Sequence, residues 1–364
     1  MDTRYSLPVY AKIALISVAV FALVYTIFIG QHIILPLMYA TIIAILLNPV
    51  VNFFLRIHLN KVIAISIAVL LAIGLTLGLI YFISIQISLF GETYPKLRIK
   101  FNTSTEQIIN LVATNFNIKV SKINNWITET ENDAISHMGG AIGQTISTIN
   151  SFLIVVVLLP VYLFMILYYK PLLIEFVHRL FKSTQQATVF EVLNNSKKII
   201  QSYLVGLLLE AIIIAILNST GLLILGIDYA IILGVTGALL NVIPYIGGVI
   251  AIALPMIIAY VTKDLTSAIL VFGTYIIIQF IDNHFIIPSI VASKVKINAL
   301  VSVIVVIVGG ALCGIPGMFL SIPITAILKV VFDHIESLKP WGYLLGNIVP
   351  TKIMRINLIK LKSK

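Results

Sequence analysis

Apolar residues along this chain come in runs of about twenty, and that length predicts helices crossing a hydrocarbon layer about 30 Å thick. In lipid only a helix satisfies its own backbone hydrogen bonds, so strands are not an alternative for isolated runs. Four such runs precede the middle of the chain: Ala11 to Gly30, Ile33 to Leu55 (with Pro36, Asn48 and Pro49), Val62 to Leu89, and Ser151 to Tyr169 with Pro160. Between the third and the fourth, Gly91 to Asn150 loses the pattern, and five Lys and Arg balance five Asp and Glu. Thr103 followed by Glu106 fits a capping box for a helix to about Thr114, and Ser121 to His137 repeats a helical pattern around Trp126. This stretch reads as a small helical insert facing water. The Met138 to Gly143 segment lacks the Lys-Ser/Thr of a phosphate loop and reads as a flexible lead into the fourth span.

The second half is organised differently. A long run, Ile199 to Leu225, is followed by two short apolar arms, Tyr229 to Val242 and Ile246 to Tyr260. About fifteen residues at ~1.5 Å rise reach only ~23 Å, too short for an upright crossing. The arms meet at Asn241-Val242-Ile243-Pro244-Tyr245-Ile246-Gly247-Gly248, where proline removes a donor and glycine loosens the backbone. The arrangement repeats: a long run from Leu265 to Ile290, then arms Ile297 to Leu312 and Gly317 to Phe332, broken from Gly309 through Gly310, Gly314 and Pro316 to Gly317. If each pair of arms is a re-entrant hairpin, the two units have opposite topology, as in transporters built from inverted repeats. Arms that cross fully while tilted are the competing arrangement.

From Ile199 to Ser293 the only charged residues are Glu210, Asp228, Lys263, Asp264 and Asp282. Each long run therefore carries one acid at depth, where a carboxylate costs about 2.5–3.5 kcal/mol and marks a functional site by default. Tyr203, Gly206 and Glu210 share a helical face, as do Gln279, Asp282 and Asn283, with Pro288 just beyond. Asp282, Glu210, Gln279 and Asn283 are the candidate coupling residues for H⁺ or Na⁺. The candidate solute path or hinge comprises Asn241, Pro244, Tyr245, Gly247, Gly248 and Pro288, together with Gly310, Gly314, Pro316 and Gly317. Against these readings stand simpler ones: carboxylates paired for packing, and breaks that only turn the chain. Gly74 and Gly78 read as a helix-contact face, His284 as a hydrogen-bonding residue, and Trp341 as an interfacial anchor.

Composition excludes a water-soluble fold: of 364 residues, 60% are hydrophobic and 10% charged, against about 25% charged in soluble proteins. The mean hydropathy is +1.09. A net charge of +10 does not signal nucleic acid here, because the cations are scattered in the joints between apolar runs. Arg56 and Lys61 bracket one joint, Lys170, Arg179, Lys182, Lys197 and Lys198 follow the fourth run, and Lys294 and Lys296 precede the last pair of arms. The positive-inside rule then places these joints, both termini and the basic tail in the cytoplasm. One cysteine, Cys313, rules out a disulfide within the chain. No His-Glu-x-x-His, phosphate loop or Gly-x-Ser-x-Gly is present, so the expectation is a non-enzyme without an organic cofactor, driven by a gradient or a partner.

Taken in order, the motifs Leu225-Gly226-Ile227-Asp228-Tyr229, Asn241 to Gly248, Gln279-Phe280-Ile281-Asp282-Asn283 through Pro288, and Gly309-Gly310 through Gly314-Ile315-Pro316-Gly317 and Pro323 resemble the autoinducer-2 exporter family of bacterial permeases. The resemblance spans nearly the whole chain, and its specific part is Gly226 to Lys329. It implies a multi-pass inner-membrane transporter, a homo-oligomer, and export of autoinducer-2 or sodium/proton exchange. Ala299, where family members often have proline, and Leu207, where they often have a polar residue, depart from the pattern. The expected fold is therefore an all-α polytopic membrane protein with about six full spans and two broken hairpins. Residues 1–90 hold three spans, 91–150 the extracytoplasmic insert, 151–198 the fourth span and a cytoplasmic amphipathic segment, 199–332 a transport unit, and 333–364 a cytoplasmic tail. The expected partners are the bilayer and a small polar solute or cation, with a non-transporting scaffold that docks partners through the insert as the rival reading.

Overall fold

The computed structural model describes residues 8–82, 84, 85, 88, 158–242, 246–292 and 295–347. The predicted insert, the glycine-rich lead, Pro244, Tyr245, Lys294 and the end of the basic tail lie outside these residues. What is described is helical apart from short joints and one isolated bridge between Ile297 and Gly346. The chain is an all-α polytopic membrane protein, with seven described helices long and apolar enough to cross a bilayer.

Helix α1 is Val9–Ile29, and α2, Gln31–Arg56, follows it after Gly30 alone. Helices α3, Lys61–Phe82, and α4, Leu158–Arg179, complete the first group. The core shared by α2, α3 and α4 is small-to-medium apolar side chains, among them Ala40, Ala44, Ala64, Ile65, Ala68 and Leu163. The polar groups inside it are paired: Lys170 donates to the buried Asn48 side chain at 2.7 Å, and Lys61 donates to the Tyr168 carbonyl at 2.8 Å. These contacts bring the last turns of α2, the start of α3 and the middle of α4 together.

Helix α5 runs Gln186–Ile224, after a 3₁₀ turn at Ser183–Gln185. It begins well ahead of Ile199, where the apolar run opens, so the second part of the predicted amphipathic segment is the polar first third of α5. Local helix propensity continues where apolar pattern stops, and Glu191 is held near His334 at 3.6 Å. At its far end α5 closes with Gly226 at φ 62°, a left-handed position suited to glycine, and Lys263 donates to the exposed carbonyl of Leu225 at 2.8 Å.

Helices α6, Ala230–Asn241, and α7, Ile246–Thr262, form hairpin 1. A side chain on Gly247 would collide with the Leu240 carbonyl, so the arms close at their tip only because that residue is glycine. Helix α8, Leu265–Ile281, opens with Asp264 accepting from the Ser267 amide at 2.6 Å. The predicted run to Ile290 is one continuous helical span to Val291, whose second part, Asp282–Ala292, is a π-helix containing Pro288.

Helix α9, Ala299–His334, is long enough to be counted as a span but is folded back on itself at Cys313 (φ −135°) and Gly314 (φ 62°, ψ −151°). Its two arms form hairpin 2, and a Cβ on Gly309 would stand 2.5 Å from the Gly317 carbonyl. The break is thus two residues wide, narrower than the predicted Gly309 to Gly317. At its base, Asn298 caps the first arm through the Val301 amide (2.8 Å) and donates to the carbonyls of Leu344 (2.7 Å) and Gly346 (3.1 Å). These carbonyls belong to the end and the C-cap of the short helix α10, Lys339–Leu345.

The two long elements run antiparallel: Gly221 faces Thr274, Ile214 packs with Ile278 and Ile286, and Gly206 lies against the Ile290 carbonyl. Hairpin 1 is rooted where α5 ends and α8 begins; hairpin 2 is rooted where α5 begins, near Ile199, Lys198 and Asp333. The hairpins therefore enter from opposite ends and stop at mid-depth. Among the described residues, six full-length crossings plus two hairpins result.

Candidate functional site

Between α5, α8, the π stretch and the two hairpins lies a cavity of about 610 Å³. Its polar wall is Glu210 and Tyr203 from α5, Asn241 from the tip of hairpin 1, and Gln279 and Asn283 from α8 and the π stretch. Its apolar wall includes Ile252, Val306 and Ile322. A mostly apolar enclosure with a few converging polar groups is the usual form of a small-molecule site.

Asp282 sits behind this wall with 0% of its surface exposed. Its Oδ2 accepts from the Asn241 amide at 3.0 Å and from the Gln279 amide at a longer 3.4 Å, while Oδ1 has no partner. A carboxylate at depth with one oxygen held by two neutral donors and the other bare is under-satisfied, since buried charge normally finds full pairing. Glu210 is also buried, and it lines the same cavity as Gln279 and Asn283. Two buried acids on neighbouring elements give the site groups able to take up a proton or a small cation.

The sequence candidates separate into three groups. Glu210, Asn241, Gln279, Asn283 and Gly248 line the cavity, with Asp282 immediately behind them. A Cβ on Gly248 would stand 3.5 Å from Asn241 Oδ1 and 3.7 Å from Gln279 Oε1, so this glycine is the open floor between two amides. Gly247, Gly310 and Gly317 instead serve close packing within the hairpins, Gly310 against Met318. Gly314 is the turn of hairpin 2, the Pro316 carbonyl accepts from the Tyr39 hydroxyl at 3.0 Å, and Pro288 lies inside the π stretch.

Two polar residues were missed. Asn218 and Tyr275 are almost fully buried beside Gly237, and the Asn218 Oδ1 and the Tyr275 hydroxyl have no partner. Helical spacing could have found both: Asn218 lies eight residues from Glu210, and Tyr275 lies four from Gln279. They extend the polar stripe from the acids toward the root of hairpin 1.

Fold and site together define a membrane transport protein: antiparallel long helices, oppositely inserted hairpins and an acid-backed cavity between them. The chain belongs to the AI-2E transporter family, whose model matches residues 15–337. It is similar to the AI-2 transport protein TqsA of Escherichia coli (strain K12), with 24% identity over 320 residues that cover 88% of this chain and 91% of that one. Two Bacillus subtilis (strain 168) relatives also match: YrrI, 27% identical over 252 residues and 69% of each chain, and YueF, 22% identical over 316 residues, covering 83% and 84%.

Proposed function

We propose that the protein is a secondary transporter of the bacterial inner membrane that moves a small polar solute such as autoinducer-2, coupled to H⁺ or Na⁺. The observation that carries this reading is Asp282, buried and under-satisfied, with its one held oxygen tied to the tip of a re-entrant hairpin. Binding a proton or cation there changes what Asn241 is attracted to, and hence the preferred position of hairpin 1. That is the differential interaction any gating step requires. A cavity of about 610 Å³ supports an organic cargo, since a bare cation needs far less room. The named cargo of TqsA supports autoinducer-2.

Cations gathered at one end of the bundle, from Lys61 and Lys170 to Lys198, Lys296 and Lys329, support a cytoplasmic placement of that end and of both termini. A homo-oligomer completes the proposal. The test is flux in proteoliposomes under an imposed proton or sodium gradient, with labelled furanone as cargo. Gradient-driven uptake is expected, and Asp282→Asn should abolish the coupled component while the protein stays folded in the membrane. Normal coupled flux in that variant would remove the coupling role. Cation-dependent proton movement without any solute would instead identify a Na⁺(Li⁺)/H⁺ antiporter, and no flux at all would favour the scaffold.

A further inference from the structure

A second cavity, of about 480 Å³, opens at the other end of the same unit, between the start of α5, the joint after the π stretch and the second arm of hairpin 2. Its wall carries Lys198 from α5, Lys296 from the joint, and Lys329 and His334 from hairpin 2. Lys329 is paired with Asp333 and His334 is near Glu191. Among the described residues, Lys198 and Lys296 have no ion-pair partner. Two ammonium groups without an ion-pair partner and a third paired with Asp333, itself in the cleft wall, converge from three separate elements on one cleft.

The depth of the cleft narrows the ligand. Lys198 stands where α5 changes from polar to apolar; between it and Asp228 the only charged residue is Glu210. That transition is headgroup level. Trp341 and Tyr343, both largely exposed, lie on α10 at the same end, and Gly342 between them packs on Asp333, in the manner of an aromatic belt. The acid-backed cavity argues against an anion passing onward. Val295 lines both cavities, and beyond it stand Glu210 and Asp282, which repel anions.

We infer that this basic cleft binds a phosphate ester, and specifically the headgroup phosphate of an anionic glycerophospholipid. The ligand ties α5, the joint and hairpin 2 together. Basic pockets between membrane helices on the cytoplasmic side recognise such headgroups. The inference is independent of the cargo and of the coupling role of Asp282.

The full-length protein, purified in detergent, is titrated with phosphatidylglycerol, phosphatidylcholine or inorganic phosphate. Adducts are counted by native mass spectrometry, and the unfolding midpoint is followed in parallel. Phosphatidylglycerol should bind and raise the midpoint, with phosphatidylcholine and inorganic phosphate much weaker. The double variant Lys198→Gln/Lys296→Gln, whose changes are both at exposed positions, should lose phosphatidylglycerol affinity about 25-fold, near fivefold per lysine. Lys339→Gln, on a lysine paired with Glu336 and outside the cleft, should leave that affinity unchanged. Equal binding of the two lipids would overturn the inference, as would full affinity in the double variant. Inorganic phosphate that binds and displaces phosphatidylglycerol would overturn the lipid assignment in favour of a free anion.

Discussion

The two hairpins have the same plan and different employment. Hairpin 1 presents its tip to the cavity: Asn241 reaches Asp282 at 3.0 Å and Gly248 opens the floor between two amides. Hairpin 2 turns its tip away. Pro316 is fastened to Tyr39 of α2, whose ring stacks on Phe319 at 5.9 Å, and the cavity meets only the flank of the arms, through Ser302, Val306 and Ile322. One hairpin is thus joined to the acid chemistry and the other to the scaffold of the first four helices. Opposite insertion makes the two look symmetrical, but their hydrogen bonds do not.

The most damaging way to probe this difference is Gly247→Val, which forces a branched side chain into the Leu240 carbonyl and should cost about 3 kcal/mol, seen as a large drop in the thermal unfolding midpoint of purified protein. Asn241→Leu follows. It removes the closer donor from a buried carboxylate, at about 2 kcal/mol, and should depress coupled flux more than the loss of stability explains. On the hairpin 2 side, Gly314→Ala places a side chain at φ 62° and ψ −151°, a region essentially reserved for glycine, and should cost about 2 kcal/mol in the same unfolding measurement, with coupling retained in the folded fraction. Tyr39→Phe is the mildest, about 1 kcal/mol from one lost hydrogen bond. If Tyr39→Phe uncoupled transport without destabilising the protein, hairpin 2 would share the role assigned to hairpin 1, and the contrast would fail.

Much of the architecture was legible because lipid imposes simple rules. Run length marked the crossings, and short arms around Pro and Gly marked both turns. What escaped was anything set by contact between distant elements. Residues 186–198 carry a polar pattern that says nothing of lipid, yet α5 incorporates them and meets His334 far along the chain. The pairing of Asn241 with Asp282 joins positions forty-one apart, and that of Tyr39 with Pro316 joins positions 277 apart, so no local period encodes either. The acids themselves stood out as the only charges in long apolar runs. Asn218 and Tyr275 did not, because uncharged polar residues in a membrane helix cost too little to attract notice singly.

The π stretch Asp282–Ala292 has a mechanical meaning. Wider turns and a proline at 288 that cannot donate are two known sources of helix bending, and here they coincide. This weakened rod is also the sole covalent run from α8 toward hairpin 2, and its first residue is the buried carboxylate. If Asp282 takes the coupling role proposed above, sensor and pivot are one object eleven residues long, and a titration event at its head needs no relay to be felt along its length.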